Sequence, residues 1–144
     1  LQDKKPVWRE VDFRPPFHQN IHFVHLGKKQ NSRKGIHRFE QNRRLNIDCI
    51  DNINGITKMS LECKDWKEFC NLAERHETII SEELQLPKVK DLYFSDFDGS
   101  IKSLGAWGGD FVMAVSHLPF VDIKNYFEAK GYTTIVTYNE MIRS

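Results

Sequence analysis

The sequence predicts an α+β fold, an antiparallel sheet with helices packed mainly on one face. Three observations carry this. Short apolar or β-branched segments near both ends of the chain read as strands. The middle of the chain has apolar residues at offsets of three and four, the spacing of buried helix faces. Helices and strands are also grouped rather than strictly alternating, which fits helices packed on an antiparallel sheet.

Residues 7–13 read as an edge strand. Val7, Val11 and Phe13 fall on one side, Glu10 and Asp12 on the other, and Pro15 and Pro16 stop the pattern. Residues 21–26, with Phe23 and Val24 inside, form a second strand, and residues 27–31 are the loop after it. Ser32 is placed to cap a helix whose buried stripe is Ile36, Phe39 and Leu45. Residues 46–61 carry Ile47, Ile50, Ile53, Thr57 and Leu61 at helical spacing, weakened by Gly55. The clearest helix covers residues 66–84. Asp65 and Glu68 resemble a capping box with Asp in place of Ser or Thr. Trp66, Phe69, Cys70, Ala73, His76, Ile80 and Leu84 share one face of it, and Pro87 lies beyond its end.

The last third changes period. Residues 101–106 and 111–116 read as short strands around Trp107-Gly108-Gly109-Asp110. Asp122 caps a short helix through Tyr126 and Phe127, and Gly131 stops it. Residues 133–138 are rich in β-branched side chains and strand-like, and residues 139–142 add a helical turn. The order is β, β, α, α, α, β, β, α, β.

A chain of 144 residues fits one domain, and 40% apolar residues suffice for a core. The net charge of +1 gives no global pull toward nucleic acid or an anionic membrane, so neither partner is expected. No run approaches the ~18 apolar residues of a spanning helix. Cys49, Cys63 and Cys70 are odd in number and form no C-x-x-C, so they read as small core residues of a cytoplasmic protein. The start at Leu1, without methionine, suggests that something precedes this segment.

Four strings invite chemical readings. Asp96-Phe97-Asp98-Gly99-Ser100 resembles the D-x-D-G-[TS] signature of haloacid-dehalogenase phosphatases, with a nucleophilic Asp and a general acid/base Asp around Mg²⁺. The 44 residues after Ser100 carry no acidic pair to complete that site, so a surface turn before a strand is the favoured reading. His18, His22 and His25 have no acidic or cysteine ligand nearby. His22 and His25 point to opposite faces of a strand, so solvated or edge histidines are expected and no metal site. The third string, Gly27-Lys28-Lys29-Gln30-Asn31-Ser32-Arg33, joins a strand to a helix start and carries three cations, a setting that favours an anion. A solvated basic helix face is the plainer reading. The fourth, residues 103–110, is glycine-rich between two strands, where backbone can approach a ligand or simply turn tightly.

Taken together, these segments resemble the C-terminal domain of GHMP kinases, the superfamily of galactokinase, homoserine kinase and mevalonate kinase, with the mevalonate kinase-like branch nearest. Lys102, Gly105, Ala106 and Gly109 match the family's third motif, K-x-[ST]-G-[AS]-G-x-G-G, and Gly108 fills its variable position. Leu104, Trp107 and Asp110 depart from it. The strand, loop and helix start at residues 23–33 resemble the corresponding family segment. The resemblance covers residues 7–142.

It implies that residues 1–144 are the lobe that closes the substrate cleft of an ATP-dependent small-molecule kinase. The nucleotide-binding N-terminal domain, with its P-x-x-x-G-L-[GS]-S-S loop, catalytic Asp and Mg²⁺-binding Glu, is absent from this sequence. The implied partners are that N-terminal domain and a small-molecule substrate. ATP and Mg²⁺ belong to the full-length enzyme, with none bound and no catalytic residue supplied by this chain alone. Gly105, Ala106, Gly108 and Gly109 would line the cleft near the phosphates, with Lys28, Ser32 and Arg33 as anion or substrate contacts. Isolated lobes are expected to pair through the cleft face around Trp107. Two alternatives stand beside this: a stand-alone ferredoxin-like binding or interaction module, and a phosphatase using Asp96 and Asp98.

Overall fold

The computed structural model describes residues 10–27, 47–105 and 110–142. A 3-10 turn at His18–Asn20 leads into β1 (Ile21–His25). Three helices follow: α1 (Ile47–Glu62), α2 (Trp66–Leu84) and the short α3 (Val89–Tyr93). Then come β2 (Ser100–Ser103), β3 (Phe111–Val115), α4 (Phe120–Ala129), β4 (Ile135–Thr137) and a closing turn, α5 (Tyr138–Met141).

The four strands form one sheet in the order β2-β3-β1-β4, and the pairings β1–β3, β1–β4 and β2–β3 are all antiparallel. The α+β class thus stands, and the strand order is that of a ferredoxin-like layout. The two long helices take one face. Ile21, Phe23, Met113 and Val115 pack there with Ile56, Phe69, Leu72 and Ala73. Alternate strand residues, Val24, Ile101, Val112 and Ala114, point the other way. They meet Val89, Phe94, Phe97, Ile123 and Phe127 from the shorter α3 and α4 and the turn between α3 and β2. Covering both faces explains why the two inner strands are buried almost throughout.

Local chemistry sets the ends of α2. The Asp65 carboxylate accepts hydrogen bonds from the N–H groups of Lys67 (2.9 Å) and Glu68 (3.0 Å), satisfying two donors that the helix leaves open. At the far end Gln85 takes the left-handed conformation, with φ of 53°. Cys63 is buried and Cys49 and Cys70 partly so; all three are free thiols.

Several expectations change. Residues 10–13 join no strand. Both sides of β1 are already taken by β3 and β4, so Phe13 instead packs on the core and its carbonyl accepts from the Tyr138 hydroxyl. Residues 7–9 and the helix expected after Ser32 lie outside the described residues. α4 begins at Phe120 with Pro119 as its cap, so Asp122 sits within the first turn rather than before it. There its charge still favours the helix dipole. His22 is not solvated. It is 2% exposed and its ring stacks on Phe120 at 5.3 Å. α3 went unforeseen because five residues show no stripe, and Leu92 and Tyr93 remain exposed.

Candidate site at the loop end of the sheet

The antiparallel register brings two of the sequence-predicted segments to the same end of the sheet. His25 is opposite Phe111, so β1 ends where β3 begins. Just past that pair, the Leu26 N–H donates to the Asp110 carbonyl at 2.7 Å. On the other side of β3, the Leu104 N–H donates to the Phe111 carbonyl at 3.0 Å and closes the base of the glycine-rich connection. Gly27, where the chain leaves β1, therefore lies at the same end of the sheet as Gly105, with β3 between them. Each departure uses a left-handed glycine, Gly27 with φ of +68° and Gly105 with φ of +72°. Open space surrounds both, so they are glycines for backbone conformation and not for want of room. Ala106, Gly108, Gly109, Lys28, Ser32 and Arg33 themselves lie outside the described residues.

Beneath the root of the glycine-rich loop lies a carboxylate that sequence reasoning passed over. Glu77 is 1% exposed and occupies the apolar stripe of α2 with Phe69, Leu72 and Ala73. Its Oε1 accepts the Ser103 N–H at 3.0 Å. The same oxygen lies 3.7 Å from Lys102 Nζ. Lys102 points toward α2 because it pairs with Met113, a residue of that face. Its ammonium also donates to the Ser103 carbonyl at 3.2 Å. Glu77 Oε2, Ser103 Oγ and the adjacent His76 Nδ1 are buried without a hydrogen-bond partner.

Burial dominates the electrostatics of this cluster. It lifts the Glu77 carboxyl above its ordinary range, while the Lys102 ammonium and the Ser103 N–H hold the rise down. Burial also lowers the Lys102 ammonium, with Glu77 opposing. His76 is pushed down to about 4, first by burial and then by the positive charge of Lys102. The imidazole is thus neutral at neutral pH. The signal for Glu77 was present in the sequence: it lies four residues after Ala73, inside the apolar stripe.

Asp96 and Asp98 engage different partners. Asp96 accepts from the Tyr126 hydroxyl at 2.6 Å and pairs with Lys130 at 3.0 Å, contacts that hold its carboxyl below the ordinary range. Asp98 is exposed, with His117 Nε2 4.0 Å away. Between them Phe97 is buried in the core, and the Asp98 carbonyl accepts from Ser116 Oγ at 2.6 Å. A Cβ on Gly99 would lie 2.2 Å from the Val115 carbonyl oxygen. Every position of the string from Phe97 to Gly99 thus has a packing or backbone reason. Among the described residues, no group of three or more His, Cys, Asp or Glu side chains is placed to hold a metal ion. Among the same residues, no helix is long and apolar enough to cross a membrane.

The sequence matches no family model and no curated protein. The fold does have neighbours among solved structures. A crystal structure of a Lin0012 protein from Listeria innocua superposes with a TM-score of 0.64 at 17% identity. The match covers 85% of this chain and 39% of the Listeria chain. At that identity the likeness concerns the fold alone. In the Listeria protein this fold is one part of a longer polypeptide.

Proposed function

We propose that this chain is the C-terminal, cleft-closing lobe of an ATP-dependent small-molecule kinase of the GHMP type. The observation that carries the reading is the meeting of the two sequence-predicted segments. Gly27, which opens the basic strand-loop junction, and Gly105, in the glycine-rich connection, lie at one end of the sheet, where Leu26 is bonded to Asp110. A phosphate-bearing ligand needs that combination: backbone free to approach closely on one side and cations on the other. The ferredoxin-like strand order agrees with it. Phosphoryl transfer rests on positioning and charge neutralisation from both sides of a cleft. In this reading Gly105, Ala106, Gly108 and Gly109 meet the phosphates, and Lys28, Ser32 and Arg33 meet an anionic group of the substrate. ATP and Mg²⁺ are held mainly by an N-terminal lobe, and the full protein works in the cytoplasm, where free thiols persist.

The test is to join this chain to a nucleotide-binding lobe of that architecture and assay Mg²⁺-ATP-dependent transfer to mevalonate-like alcohols. The expected result is transfer by the joined protein and none by the 144-residue chain alone. A joined, folded protein that neither binds ATP nor transfers phosphate to any alcohol in the panel overturns the reading.

A further inference from the structure

We infer that Glu77, Lys102 and Lys90 close the outer edge of β2 against the addition of a further strand. This does not depend on the kinase reading. Among the described residues β2 stands at the end of the sheet, paired with β3 on one side only. In an antiparallel pair, opposite residues alternate between those that exchange N–H and C=O bonds and those that do not. The Leu104 N–H donates to the Phe111 carbonyl, so Ser103 and Val112 are a pair of the second kind. By the same alternation, the Gly99 carbonyl and the backbone groups of Ile101 and Ser103 turn away from β3.

Such an edge is a template for pairing with another chain. Here both its ends are occupied. The Ser103 N–H donates to Glu77 Oε1 at 3.0 Å, and the Ser103 carbonyl accepts from Lys102 Nζ at 3.2 Å. The Gly99 carbonyl accepts from Lys90 Nζ at 2.6 Å. Glu77 comes from α2 on one face of the sheet, and Lys90 from α3 on the other. Lys90 also pairs with Glu74 of α2 at 3.3 Å, and Lys88, just before α3, donates to Thr78 of α2 at 3.3 Å. The two helices are thus bridged around the rim of β2, and Ile101 between the caps is 2% exposed. A buried Glu–Lys pair adds little net stability, because desolvation offsets the attraction, and apolar residues of similar volume often do as well. What the pair does is directional: it occupies a donor and an acceptor that a further strand needs. The strand excluded is the β2 of a second copy. Two such edges are self-complementary across a two-fold axis, with Ile101 opposite Ile101 and Gly99 opposite Ser103.

The test replaces all three side chains by an apolar one of similar length. Glu77→Met/Lys90→Met/Lys102→Met keeps the volume and frees the outward groups of Ser103 and Gly99. Sedimentation equilibrium gives the mass of the 144-residue chain, and amide exchange at Ile101 and Val24 locates any new contact. In the wild type, Ile101 exchange should not vary with protein concentration; slowing there as concentration rises would mean an open edge and overturns the inference. The triple variant should gain mass with concentration, and its Ile101 amide should slow about tenfold or more while Val24 exchanges as in the wild type. Glu77→Gln, which keeps an acceptor for the Ser103 N–H, should behave as the wild type. A folded triple variant that matches the wild type in mass and at Ile101 overturns the inference. So does association without slowing at Ile101, which places the contact elsewhere. Should the triple variant not fold, Lys90→Met decides, since its side chain lies at the rim, partly exposed. It frees the Gly99 carbonyl and should also slow Ile101 as concentration rises; no such dependence overturns the inference.

Discussion

Gly99 has no room for a side chain, and Gly105 has nothing but room. The contrast yields a paired prediction. A Cβ at Gly99 would meet the Val115 carbonyl oxygen at 2.2 Å and carbons of Phe97 and Ser116 at 3.0 Å, with φ at +152°. Gly99→Ala should therefore cost about 2–4 kcal/mol, the sum of a strained backbone and overpacking. Gly105→Ala should cost only about 1 kcal/mol, the backbone contribution alone. Urea unfolding of the two variants checks the order, and equal losses would contradict it. His76 supplies a pH dependence. Its ordinary value is 6.5 and its folded value about 4, so between these the unfolded state binds more protons. Stability is full above pH 6.5 and falls as pH drops toward 4. His76 is only partly shielded from water, which leaves on the order of 1–2 kcal/mol of this effect. Burial lowers His22 in the same direction. The decisive comparison is thus wild type against His76→Gln, whose acid-side slope should be shallower.

At the scale of elements, α2 was the most legible part of the chain. Its apolar stripe and its Asp65 cap could both be read, because a helix face and a cap are local patterns. Asp65→Ala should lower stability by about 1 kcal/mol, seen in thermal or urea unfolding, since two helix N–H groups lose their acceptor. β1, β3 and β4 were legible from β-branched and apolar runs, though β1 and β3 came out one residue shorter at the end and β4 shorter at both ends. Elsewhere the physics was not local. Residues 10–13 alternate like a strand, but β3 and β4 flank β1, and Phe13 packs on the core instead. His22 looked like a surface residue until Phe120, nearly a hundred positions later, covered it. Glu77 was passed over because its partner is the backbone of Ser103, 26 residues away. Of the candidate site, the two segments were legible as strings and their adjacency was not. Adjacency depends on the register of β1 against β3.

At the scale of the molecule, β3 is the strand on which the sheet depends. In the order β2-β3-β1-β4 it alone joins β2 to the rest. Its partners are distant in sequence: Ile21 pairs with Val115. Non-local pairing of this kind closes late, because the entropy of a long loop must be overcome first. A chain ending at Asp110 should therefore keep helical circular dichroism from α1 and α2 and lose the slow amide exchange of Val24. Persistent protection at Val24 in that truncated chain would show that β1 is held by something other than β3.

The tight seat of Gly99 reaches further than its own turn. It sits immediately before β2 and fits against the carbonyl of Val115, the residue that pairs with Ser100. It works as a key cut for one lock, admitting a single alignment of β2 on β3. A slip of one position would turn every side chain of β2 to the opposite face. Ile101 would then face Glu77, and Lys102 would enter the apolar layer beside Phe94 and Phe127. The aspartate-flanked turn thus governs the aim of a lysine at the other end of the strand.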